Sequence, residues 1–172
     1  LVFAAAAVGV TPEDMGENGG SDEQAQLLTR LSNFDPDSPK AQALIRAFFN
    51  GSFASSSSEF TYFDPSKEDP ALTALEARGI QVPGWEGGLL AFFRDNAQLT
   101  DSVDVAALAE VTIPTLLIWG EEDKVVPISV GERLRDVLPN ATWIAYPETG
   151  HIVMNEANEA FNRDLLNFLA GE

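Results

Sequence analysis

The chain has 172 residues, 45% of them hydrophobic, which suits one domain of ordinary size with a real core. It has no cysteine and one histidine, which excludes disulfides, thiolate metal sites and histidine-rich metal clusters. Its net charge of −17, from 27 acids against 10 bases, repels nucleic acid and anionic membranes, and no apolar run is long enough to span a bilayer.

The opening LVFAAAAVGV lacks a basic leading region and reads as a buried strand over residues 1–10 rather than a signal peptide, so the cytoplasm is the expected compartment. Four consecutive alanines would also suit a helix; the β-branched flanks and the turn cluster from Thr11 to Gly20 favour the strand. Helices are predicted over 22–33 and 38–50, the second with Pro39 in its first turn and a stripe of Ala43, Leu44, Ala47 and Phe48. Residues 51–66 are rich in serine and phenylalanine and read as loop. A short helix follows at 69–78, capped by Asp69, started by Pro70 and ended by Gly79, and another at 85–96.

From residue 104 the rhythm changes. DVAALAEV is a short helix or turn, and TLLIWG (115–120) is a strand with Pro114 at its mouth. Residues 127–139 form an amphipathic helix with Val130, Leu134, Val137 and Leu138 on one side. TWIAYP (142–147) is a second strand, and 155–172 a closing helix with Phe161, Leu165, Phe168 and Leu169 at helical spacing. Strand–helix–strand–helix with short links implies an α/β fold with a parallel sheet. Both strands are continuous apolar runs, as burial on two faces requires.

Ligands of parallel α/β sheets gather beyond the carboxyl ends of the strands. Asp123 follows the first of these strands by three positions, and His151 follows the second by four. Neighbouring strands would bring both residues over one rim, where a carboxylate accepting from one imidazole nitrogen leaves the other nitrogen as a base. Each residue alone has a plainer reading: Asp123 as a helix N-cap, His151 as a structural or solvated loop histidine. The matched spacing, strands and flanking glycines favour the acid–base pair. Asp14 is a rival acid in a context that looks like plain turn.

The stretches IPTLLIWGEEDKVVP and GHIVMNE, followed by an amphipathic helix, resemble the C-terminal half of the α/β-hydrolase fold. Gly120, Asp123, Pro127, Gly150, His151 and Glu156 occupy the family's places, and Asn158 stands where relatives often carry proline. The resemblance implies that 1–10 and 101–172 belong to the hydrolase core and that 11–100 is a helical cap insertion. It implies Asp123 and His151 as the catalytic acid and base, with no metal or organic cofactor. The family nucleophile lies in G-x-S-x-G, which does not occur here; the serines at 52 and 55–58 lie in a loop with no strand before them.

The nucleophile, serine or aspartate, is therefore expected from a missing N-terminal half of about 100–120 residues, which would also cover the apolar edge of the first strand. The aromatics Phe48, Phe49, Tyr62, Trp85, Phe92 and Phe93 suggest the wall of a pocket for a small apolar substrate, although helix packing explains them as well. The expected function is hydrolysis of an ester or related bond. A non-catalytic binding or scaffold module is the alternative.

Overall fold

The computed structural model describes residues 1–8, 33–49, 58–98 and 105–171. In chain order these hold β1 (Val2–Ala4), α1 (Pro39–Phe49), α2 (Pro70–Glu76), α3 (Trp85–Gln98), β2 (Thr115–Gly120), α4 (Ile128–Val137), β3 (Ala141–Tyr146), α5 (Val153–Glu156) and α6 (Asn158–Ala170). Short 3-10 turns lie at Pro65–Lys67, Gly79–Gln81 and Val105–Glu110. The residues fall into two compact units. One contains 1–8, 59–68 and 105–171; the other contains 33–49, 58 and 69–98.

The first unit is built on a parallel sheet of order β1-β2-β3, with Val2 opposite Leu116 and Gly120 opposite Tyr146. Every residue of β2 is buried. Alternation splits its side chains between two faces. Leu117 and Trp119 join Val126, Val130, Leu134 and Leu138 of the α4 side, while Leu116 and Ile118 join Tyr146 and Val153 beneath Phe161, Leu165 and Phe168. Leu116, Leu117, Ile118 and Trp119 are all 0% exposed, and burying each such side chain contributes about 1.5–3 kcal/mol. On the α4 face the Trp119 and Trp143 rings stack at 6.0 Å, and the Trp119 indole N–H donates to the Val126 carbonyl at 2.9 Å. Gly131 faces both rings: a Cβ there would lie 2.6 Å from Trp119 and 2.7 Å from Trp143, so the helix approaches the pair only without a side chain.

Several expectations change. The first strand is three residues long, and positions 9 and 10 of the expected strand lie outside the described residues, as does the 22–33 helix apart from Asn33 in a turn. Residues 58–61, read as loop, are helical, and 59–68 fold with the strands rather than with the rest of the expected insertion. The helix expected at 69–78 ends at Glu76 with Ala77 as its cap, and Gly79 opens a 3-10 turn instead of closing the helix. The closing helix is two pieces, because Ala157 (φ −108, ψ 34) leaves helical geometry. The break lets α5 bury Val153 and Glu156 while α6 lies along the sheet. Leu169 is 66% exposed: helical spacing fixes a side chain's direction, but a covering surface comes only from tertiary structure.

In the second unit, α1 and α3 pack through Ala41, Ile45 and Leu90, with Phe34, Trp85 and Leu89 alongside. Arg46 of α1 pairs with the buried Glu86 of α3. Asp69 caps α2 as expected, accepting from the Ala71 N–H at 2.8 Å ahead of Pro70.

Candidate active site

Pairing of β2 with β3 puts the loops after Gly120 and Tyr146 side by side at the carboxyl end of the sheet. The loops then bond to each other. The Glu121 N–H donates to the Tyr146 carbonyl at 3.0 Å and the Glu122 N–H to the Thr149 carbonyl at 3.1 Å. The Thr149 N–H donates back to the Glu122 carboxylate at 2.9 Å. Gly120 makes this approach possible, since a Cβ there would sit 2.2 Å from the carbonyl oxygens of Thr149 and Gly150.

Asp123 and His151 meet across this seam. Asp123 Oδ2 lies 2.9 Å from His151 Nδ1. Asp123 Oδ1 accepts the Val125 and Val126 N–H groups, each at 2.8 Å. The carboxylate closes its own loop and is not a helix N-cap: α4 starts after Pro127, with no side-chain cap. With one oxygen committed to two amides, the other faces the imidazole as an acceptor, which favours the tautomer that carries its proton on Nδ1; in that neutral tautomer Nε2 is the ring acceptor. The Asp123 side chain is wholly buried and the His151 side chain is 24% exposed, so the carboxylate is shielded from solvent while the imidazole is open to it.

Thr149, Gly150 and His151 each send their backbone N–H to a different acceptor: Glu122 Oε2, Glu156 Oε2 at 2.6 Å, and the Thr61 carbonyl at 2.8 Å. Glu148, just before them, is held at φ 52, in the left-handed region that a side chain resists. Tyr62 is buried beside this loop, and its hydroxyl accepts from the Asn155 amide at 2.9 Å.

The remaining expected substrate-wall residues belong to the second unit. Trp85 is half-buried in the α1–α3 packing and Phe92 is 59% exposed. The side chains of Phe48, Phe49 and Phe93 lie outside the described residues, as do Asp14 and the serines at 52 and 55–57; Ser58 is in the helical turn. Among the described residues no group of three or more His, Cys, Asp or Glu could hold a metal ion. None of the described helices is long and apolar enough to cross a membrane.

Sequence reasoning missed the 61–64 segment and the work of Glu156. One signal was available. Asp64-Pro65 repeats the Asp69-Pro70 pattern, and Asp64 Oδ1 accepts from the Ser66 hydroxyl at 2.7 Å and from its N–H at 3.0 Å. Those bonds, the hydroxyl's first, hold the Asp64 carboxyl below its usual range.

Comparison with known proteins follows the same lines. A family model described as alpha/beta hydrolase fold matches residues 16–157, most of the chain. An uncharacterized hydrolase of Bacillus subtilis is 40% identical over 62 residues, which are 36% of this chain and 23% of the relative. A 2-hydroxy-6-oxononadienedioate/2-hydroxy-6-oxononatrienedioate hydrolase of Cupriavidus pinatubonensis is 45% identical over 62 residues, 36% of this chain and 22% of the relative. The match thus spans less than a quarter of these relatives. Among solved structures, an esterase from Thermogutta terrifontis superposes with a TM-score of 0.62 at 17% identity, covering 99% of this chain and 55% of its own. A meta-cleavage product hydrolase from Pseudomonas fluorescens gives 0.60 at 22% identity, covering 74% and 49%. A family pattern matched over most of the length, carried by a parallel sheet that solved hydrolases share, leads to one assignment: the chain belongs to the α/β-hydrolase fold family.

Proposed function

We propose that this chain supplies the acid and the base of a hydrolase acting on an ester or related acyl bond. The supporting observation is the 2.9 Å contact between Asp123 Oδ2 and His151 Nδ1, with Nε2 left as the base. In this reading Asp123 holds the tautomer and stabilises the imidazolium that forms. His151 Nε2 takes the proton of the attacking nucleophile and returns it to the leaving group. It then takes a proton from water, which attacks the acyl intermediate, and gives that proton to the departing nucleophile. No G-x-S-x-G occurs in residues 1–172, so the nucleophile is assigned to polypeptide outside them, the N-terminal half of the same fold. The mainly helical unit of α1, α2 and α3 is assigned as a cap, and Phe48, Phe49, Trp85, Phe92 and Phe93 are assigned to binding of a small apolar substrate. Tyr62, in the first unit, is assigned separately to substrate binding. The names of the relatives add a second candidate substrate for hydrolysis, a 2-hydroxy-6-oxononadienedioate or 2-hydroxy-6-oxononatrienedioate.

The test is turnover of a nitrophenyl ester and of a 2-hydroxy-6-oxo-dienedioate by the protein with its preceding polypeptide. His151→Ala is expected to abolish it. Asp123→Asn, which favours the wrong tautomer, is expected to lower kcat about 10⁴-fold. The 172-residue chain alone is expected to be inactive, and turnover by it that depends on His151 would place the nucleophile within these residues. The lack of a nucleophile motif also favours a second reading, a non-catalytic binding module. No turnover of either substrate class, with both variants folded, would select it.

A further inference from the structure

We infer that Glu156 is a positioning residue for His151: its carboxylate ties the histidine loop to the 61–64 segment and so fixes where the imidazole stands. The inference rests on the reading of His151 as the base, and it concerns a residue that touches neither the imidazole nor a substrate.

Glu156 is 9% exposed, and the ion pairs of the described residues do not include it. Its partners are backbone amides. Oε1 accepts the Asp64 N–H at 2.9 Å and the Phe63 N–H at 3.1 Å. Oε2 accepts the Gly150 N–H at 2.6 Å and the Phe63 N–H at 3.0 Å. One carboxylate therefore joins Phe63 and Asp64, 93 and 92 positions before it in the chain, to Gly150, six positions before it. Immediately beside it the His151 N–H runs the other way, to the Thr61 carbonyl at 2.8 Å. The Asn155 amide adds a third link, to the Tyr62 hydroxyl.

This clamp is outside the strand ladder. β3 ends at Tyr146, five positions before His151, so sheet pairing alone does not set the histidine's backbone. The seam is also closely packed. A Cβ on Gly150 would lie 2.7 Å from the Thr61 carbonyl oxygen, 2.8 Å from the Phe63 nitrogen and 3.0 Å from Glu156 Oε2. The joint thus needs a residue without a side chain at 150 and an acceptor with two oxygens at 156. A glutamine has the right shape but one acceptor oxygen, and its NH₂ would face an amide donor.

The experiment uses the single histidine. In the 172-residue chain with ¹⁵N-labelled histidine, the Nδ1 proton held by Asp123 is expected as one exchange-protected downfield resonance, needing no turnover to observe. Glu156→Gln and Gly150→Ala are each expected to broaden or remove it and to speed His151 amide exchange at least tenfold, while unfolding stays cooperative. Both variants keeping the resonance and the protection would overturn the inference. If a variant does not fold, exchange in the unaltered chain decides: the amides of Phe63, Asp64, Gly150 and His151 should open as one unit. Exchange rates differing more than tenfold among them would count against a clamp. Asp123→Asn separates the two readings. Persistence of the resonance in that variant removes the acid–base pair itself, whatever Glu156 does.

Discussion

The Asp123 carboxylate is fully shielded from solvent, and two amide N–H groups and an imidazole meet it. Such a group tolerates little change, because each amide left without an acceptor costs about 1–3 kcal/mol. Its place was legible in G-x-x-D followed by a helix start, and so was that of His151. The bonds to Val125 and Val126 were not, since a loop aspartate reads equally well as a helix cap. Glycines carry a comparable lesson. Gly131 looks like an ordinary weak point in a helix until the Trp119 and Trp143 rings are seen against it. Gly131→Ala would raise intrinsic helix propensity yet is expected to destabilise the protein by about 1–3 kcal/mol through overpacking. A lower denaturant midpoint at unchanged m-value checks this. A neutral or stabilising result would mean that the rings yield.

At the scale of elements, the strands were the most readable part. TLLIWG folds as the six-residue β2, and its unbroken apolar character matches burial on both faces. Helix starts were legible where proline follows aspartate or serine. Ends and breaks were less so: neither the Ala157 kink nor the exposure of Leu169 has a local cause. The α1–α3 contact carries a testable electrostatic link. A hydrogen bond from its own backbone N–H and then the Arg46 guanidinium hold the Glu86 carboxyl below its ordinary range, against the opposing effect of burial. The folded form binds that proton less tightly than the unfolded chain does. Its stabilisation is full above about pH 4.5 and is lost as pH falls through the lower folded value. Asp164 behaves alike: Arg163 first, then the Tyr146 hydroxyl, hold it below 3.8, with burial opposing. Glu86→Gln is therefore expected to lower stability at pH 7 and to flatten its fall on acidification, followed by urea unfolding at stepped pH. An unchanged acid slope would show that the pair contributes nothing to folding.

For the whole molecule the net charge of −17 is the dominant physical fact. A compact chain feels this repulsion more than an unfolded one. Raising ionic strength from about 0.01 to 0.15 M shortens the Debye length from about 30 to 8 Å, so the unfolding temperature at neutral pH should rise over that range. A flat or falling profile in a thermal melt would show that local attractive pairs outweigh the net charge. The sequence by itself determined the α/β class, the two adjacent strands, and the meeting of Asp123 and His151 beyond their carboxyl ends. It could do so because hydrophobic periodicity and turn chemistry are local properties of the chain. Only the tertiary structure decided that a segment read as loop packs onto the histidine loop, that Glu156 bonds to amides from both, and that Gly120, Gly131 and Gly150 mark close approaches. Those are contacts between residues far apart in sequence, and their existence depends on which surfaces the folded chain brings within hydrogen-bonding distance.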